Sequence, residues 1–332
     1  MKNLILLSAI FSSFAVKASP IKIGSSPVIS SAGIYLAQER NYFKQEGLEV
    51  DLNDFNSSGG QMTLLLSKGE LDVGAGNLTS GLFNAIAKGQ KFKLVADKGH
   101  LEKGKDYIAL IVRQDHIASG RYKTLKDLKG FKMGLTALDG VSQQIVAERF
   151  LEKAGLKAAD VEFIKLSYAE MNLALKTKNI DATIQLEPYL TKAEIDGIAK
   201  NVASAVEVHP HQQSAAIFFS PDFLEKRSVE AKKFLIAYLK GIRDYNAAIA
   251  GKADKTKMTA DLKKYIKIDD QKVWDRMYPI GLSDDGSINV QALMEDVNWY
   301  YMKKYIEKPL KAEDVVDSSL VKQASAELNK RK

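Results

Sequence analysis

Small hydroxyls, amides and glycines recur in this chain at one kind of place, just after a short apolar run and just before a helical one. Ser26 and Ser30, then Ser58 and Gly59, then Asn77 stand there in the first part of the chain. Asp139, Gly140, Val141 and Ser142, then Tyr168, then Glu187 stand there further on. Such residues ahead of helices present side-chain donors beside unpaired backbone N–H groups and the partial positive charge of a helix start. That combination suits binding of an oxyanion or a polar heterocycle. Any single serine can be only a helix cap, because Ser is favoured there anyway; the joint placement argues for a site. Asp139 and Glu187 would add carboxylates, which disfavour a bare anion and favour a solute with a donor or cationic group. Phe55, Tyr107, Tyr168 and Tyr189 are candidates to stack on a flat ligand. His209 and His211 flank Pro210 with no acid or cysteine cluster nearby, and read as a connecting segment rather than a metal site. No catalytic arrangement, metal spacing or cofactor motif accompanies these residues.

The elements that must position them form a repeat. A strand at 21–24, a helical stretch at 33–45, Gly47-Leu48, a strand at 49–54, a helix near 61–68, Asp72 and a strand at 72–75 make the first copy. A strand at 131–135, a helix at 142–153, Gly155-Leu156, a strand at 161–165, a helix at 169–178, Asp181 and a strand at 182–185 make the second. In each copy a helix ends at glycine, which takes the left-handed C′ conformation cheaply, and the following leucine folds back on it. The inner strands are mostly apolar, as in parallel sheets covered on both faces. The fold class is therefore α/β, with two lobes, each a mostly parallel sheet flanked by helices, and a cleft beyond the carboxyl ends of the strands.

Residues 98–106, rich in glycine and charge, read as a linker, and 107–113 alternates like a strand. Residues 209–212 read as a second crossing, and 214–220 as a strand returning to the first lobe. Lobe 1 is thus expected to comprise 19–106 plus 214–332, and lobe 2 to comprise 107–213. Phe234, Leu235, Tyr238, Leu239 and Ile242 recur at helical spacing and predict a packed helix in the C-terminal part. With two connections, lobe motion is a hinge.

Composition bounds the function. The chain has 332 residues, enough for two cores, with 45% hydrophobic and 27% charged residues, as in a globular protein. Residues 1–18 read as a secretory signal peptide, with a short basic start, an apolar stretch at 4–16 and small residues at Val16 and Ala18, so cleavage is expected after Ala18. Without cysteine there is neither a disulfide nor a lipid-attachment thiol, and the expected location is the periplasm, free of the membrane. The net charge of +7 falls to +5 once Lys2 and Lys17 leave with the leader. It is spread over Lys/Glu-rich helix faces, without the clustered basic stripe nucleic-acid binding needs.

Four stretches carry a family resemblance: residues 69–77 (GELDVGAGN), 123–130 (KTLKDLKG), 154–156 (AGL) and 181–189 (DATIQLEPY). In order and spacing the chain resembles the type 2 periplasmic solute-binding proteins of ABC importers, in the branch of the sulfonate, taurine, nitrate and thiamine-pyrimidine-precursor receptors. The resemblance covers about 21–219. It implies a Venus-flytrap receptor, monomeric, that captures a small solute and delivers it to the transmembrane subunits of an ABC permease. Sulfonate-type members tend to have a Gly-Ser-rich anion cradle at the loop here formed by 138–143, and a tryptophan where this chain has Leu186. Both departures lean toward a nitrogen-containing or heteroaromatic solute. An enzyme of the pyrimidine-precursor-synthase kind and a sensor for a membrane kinase are the alternatives the resemblance leaves.

Overall fold

The computed structural model describes residues 19–55 and 60–331; the expected leader, Ser58 and Gly59 lie outside them. Among the described residues ten strands occur in chain order: β1 (Ile21–Ser25), β2 (Val50–Asp54), β3 (Val73–Asn77), β4 (Lys93–His100), β5 (Ile108–Arg113), β6 (Lys132–Leu135), β7 (Glu162–Lys165), β8 (Ala182–Leu186), β9 (Ala199–Ser204) and β10 (Gln213–Phe219). They form two five-stranded sheets, ordered β2-β1-β3-β10-β4 and β7-β6-β8-β5-β9. In the first, β1 runs parallel to β2 and β3, while β10 is antiparallel to β3 and β4. In the second, β6 runs parallel to β7 and β8, while β5 is antiparallel to β8 and β9. The two orders correspond position by position. The reversed strand in each sheet is the one reached by crossing from the other sheet, over residues 101–107 and 205–212.

The repeat has a physical cause at both of its landmarks. Gly47 and Gly155 share a φ of 74°, with open space where a Cβ would stand, so it is the left-handed turn that calls for glycine. Beside them the Leu48 N–H donates to Phe43 O and the Leu156 N–H to Leu151 O, at 2.9 and 2.8 Å, closing each helix. Asp72 and Asp181 are clamps. The backbone N–H of Lys22 donates to the Asp72 carboxylate and that of Lys132 to the Asp181 carboxylate, both at 2.9 Å. Each aspartate thus ties the amino end of the first strand of its copy to the start of the third.

Three expectations need correction. The helix expected over 33–45 is two helices, Ala32–Glu39 and Tyr42–Gln45, broken at Asn41, whose φ is 58°. Strands β4 and β9 had no counterpart in the sequence reading. The linker expected from residue 98 begins after His100, because 98–100 complete β4. The long helix Ser228–Ile249 buries Phe234, Leu235, Tyr238, Leu239 and Ile242, and packs on Ala32–Glu39. There a Cβ on Gly241 would lie 2.1 Å from the Gly33 carbonyl oxygen, so the two backbones touch.

Candidate functional site

The carboxyl ends of parallel strands from both sheets line one cavity of about 610 Å³. Ser26, Pro27 and Val28 follow β1, Phe55 follows β2, Gly76 and Asn77 end β3, and Lys98 lies near the end of β4. From the second sheet, Thr136 follows β6, Lys165 ends β7 with Leu166 to Glu170 after it, and Tyr189 comes after β8. This is where an open α/β sheet places its ligand. A larger depression, of about 700 Å³, lies among Ile86, Lys93, Leu224, Lys308 and Leu320. No residue of the second sheet lines it, and it lies at the amino end of β4, opposite the end where the parallel strands open, so it lacks the geometry of an interlobe site.

Asn77 Nδ2 donates to the Tyr168 hydroxyl across the cavity at 2.6 Å. The Tyr168 and Tyr189 rings stack at 6.5 Å with 13° between their planes. Burial pushes the Tyr168 hydroxyl up to about 12, so it remains a neutral donor and acceptor. Behind it a small recess of about 10 Å³ is bordered by Ser30, Asn77, Ser142 and Tyr168, together with Tyr107 and Ser214.

The sequence-predicted residues therefore divide. Ser26, Asn77 and Tyr168 line the cavity, and Ser30 and Ser142 border its recess. Gly140, Val141 and Ser142 form a seam between the sheets rather than a cradle. Val141 bridges Thr79, the Ser80 N–H donates to Gly140 O at 2.9 Å, and the Ser142 N–H donates to Leu78 O at 3.1 Å. The Asp139 side chain is exposed, while its carbonyl accepts from the Ser80 hydroxyl. Glu187 is fully buried behind the cavity. One of its carboxylate oxygens accepts from the Thr191 hydroxyl at 2.6 Å and the Tyr278 N–H at 3.0 Å; the other accepts from the Thr191 N–H at 3.2 Å. Burial pushes this carboxyl up to about 7, with those donors opposing. The structure corrects the expectation that Asp139 and Glu187 put negative charge in the cleft. The first faces solvent, and the second is consumed by the first turn of its own helix and by the segment around Tyr278.

The sequence reading missed Lys98, assigning it to a linker. It is 1% exposed, lines the cavity and donates from Nζ to the Ser30 hydroxyl at 2.8 Å. Burial pushes its amine down to about 7, with Asp97 opposing. The apolar run Phe92, Leu94, Val95, Ala96 before it was the available signal of a strand whose carboxyl end it occupies. His209 sits in the second crossing, its Nε2 2.7 Å from the Asp296 carboxylate. Among the described residues no three His, Cys, Asp or Glu side chains are grouped to hold a metal.

Comparison with known proteins agrees with this architecture. Residues 29–248 match the family described as NMT1/THI5 like. A Brucella abortus protein provisionally named as a binding protein is 27% identical over 237 residues, 70% of this chain and 67% of its own. A Bacillus subtilis protein provisionally named for aliphatic sulfonate binding is 27% identical over 318 residues, 92% of this chain and 88% of its own. The solved ligand-binding component of an ABC-type import system from Staphylococcus aureus superposes with a TM-score of 0.75 at 18% identity, over 92% of this chain and 99% of its own. The likeness of that structure speaks to the fold, a periplasmic-binding-protein architecture, and the family match, which spans about two thirds of the sequence, speaks to descent: the chain belongs to the NMT1/THI5-like family.

Proposed function

We propose that the chain is the substrate-binding receptor of an ABC-type importer. It captures a small organic solute between its lobes and delivers it to the transmembrane subunits of a permease. The observation that carries this reading is the cavity itself. Strand ends of two separate sheets converge on it, and two short crossings join those sheets, an arrangement suited to opening and closing by hinging. The names of the relatives matched over most of the chain support binding rather than turnover. The lobes in this reading are 19–106 with 214–332, and 107–213. The mature chain is a periplasmic monomer, released by cleavage after Ala18, and it needs no cofactor. No helix among the described residues is long and apolar enough to cross a membrane.

The test is uptake. Cells lacking the chain are compared with cells expressing it for import of the solute that the purified protein retains. Loss of import on deletion, restored by the wild-type chain, is the expected result. Import that is unaffected, with the chain recovered alongside a membrane kinase, would replace transport by sensing. Conversion of the bound solute by pure protein would make it an enzyme.

A further inference from the structure

We infer that the cleft selects an organic anion, and that Lys98 is the residue that selects its charge. This rests on reading the cleft as the solute site and names the class of solute. Lys98 is buried at the cavity wall, and its ammonium has three donors. The structure gives it one acceptor, the Ser30 hydroxyl at 2.8 Å. No carboxylate among the described residues lies within ion-pairing distance. The neighbouring Asp97 is taken up elsewhere, accepting from the Gly99 and Ser283 N–H groups at 2.8 Å each, from Gln213 at 2.6 Å, and pairing with His100 at 3.0 Å. A buried ammonium is costly unless paired, and the cavity that Lys98 lines is where a further acceptor can enter. An oxyanion placed there fills the unused donors with charge-assisted bonds.

The other walls describe the rest of the solute. Phe55, Tyr168 and Tyr189 bring ring surface to the cavity, and stacking with Tyr168–Tyr189 already in place suits a flat body. The remaining charged groups on the cavity are Lys165, which adds positive charge, and Glu170, whose carboxylate accepts from the Ser167 N–H at 2.7 Å as a helix cap. A cation would meet two lysines, Lys98 and Lys165, against the single carboxylate of Glu170.

Binding is also proton-linked. Around Lys98 stand Asp97 on its own strand, Tyr107, Tyr168 and Tyr189 as neutral phenols, and Lys165 and Glu170 at the rim. With its amine at about 7 when the site is empty, the anion must draw a proton onto Lys98 as pH rises. Affinity therefore falls about tenfold from pH 6 to pH 8.

The experiment is calorimetric titration of residues 19–332 with benzoate and benzenesulfonate, against benzylammonium and benzyl alcohol of similar size. The anions are expected to bind best. Lys98→Met is expected to weaken them about 100-fold and abolish the pH dependence, with Lys98→Arg retaining part of the affinity. Circular dichroism confirms that both variants are folded. Anion affinity unchanged in Lys98→Met, or tighter binding of benzylammonium or benzyl alcohol, overturns the inference. If none of the four binds, a pooled screen separates the two readings. A cationic or neutral solute found there sinks the inference and leaves the receptor standing; no bound solute at all sinks both.

Discussion

Replacing Lys98 by Met should make the empty protein more stable, because the lysine is held in a place that suits a ligand better than it suits the fold. The gap between its ordinary 10.5 and about 7 corresponds to about 5 kcal/mol of unfavourable free energy when the amine must stay charged. Methionine has similar length and no charge to desolvate. It forfeits the bond to Ser30, worth about 1 kcal/mol. Relaxation and water entry through the cavity trim the remainder, leaving a net stabilisation of about 2–4 kcal/mol near pH 7 and a rise in Tm of roughly 5–10 °C. The sign of the pH dependence follows from linkage. Above pH 10.5 the amine is neutral in both states and adds no penalty. As pH falls from 10.5 to about 7 the unfolded chain takes up a proton that the folded chain does not, and stability is lost; below 7 the penalty is complete. The gap between Lys98→Met and wild type should therefore be widest at pH 6–7 and shrink toward pH 10. Urea unfolding of both proteins at several pH values measures it. A variant less stable than wild type, or a gap that does not change with pH, would mean that Lys98 is not a destabilised charge in the empty protein.

Other substitutions probe the frame around the site. Gly241→Ala pushes a methyl group into the Gly33 carbonyl of a neighbouring helix, where neither backbone can yield, and should cost about 2–3 kcal/mol in urea unfolding. Asp181→Ala removes the acceptor of the Lys132 N–H and of the buried His116 ring, and should cost about 1–3 kcal/mol at pH 7. Burial acts to raise the Asp181 carboxyl, but the Lys132 N–H and the His116 ring outweigh it and hold it below the usual aspartate value. Its contribution is therefore present above pH 4 and disappears as pH falls through that lowered value, so the cost of Asp181→Ala should vanish in acid titrations of stability. Tyr168→Phe deprives Asn77 of its partner across the cavity. It should weaken closure by about 0.5–1.5 kcal/mol, seen as a larger radius of gyration in small-angle scattering with overall stability nearly unchanged.

The architecture was legible because the repeat is written in residues with strict backbone duties. Gly47 and Gly155 occupy the same left-handed turn, and Asp72 and Asp181 make the same clamp, so their spacing reported real geometry. Strand ends were legible in the same way, which is how Ser26, Asn77 and Tyr168 could be placed at the cavity. Strands β4 and β9 escaped because each follows the third strand of its copy, past the last marker the repeat supplied. Lys98 escaped with β4, since a lysine beside glycine and histidine resembles a loop until its burial is seen. Glu187 and Asp139 were drawn to the cleft by position along the chain alone. Position does not say which way a side chain points, and the helix that begins two residues after Glu187, at Tyr189, takes up its carboxylate through Thr191. Those contacts decided Glu187 and took its charge out of the cleft.

In the proposed function the cavity between the sheets takes up a small solute. A thermal-shift screen of residues 19–332 against pooled organic anions, amines, pyrimidines and neutral aromatics tests it most directly. A solute present at about 100 times its dissociation constant adds about 2.7 kcal/mol to the native state, a shift of roughly 5–10 °C. Such a shift is expected with a pool of aromatic carboxylates or sulfonates. No shift with any pool, from protein shown to be folded and empty, would contradict it.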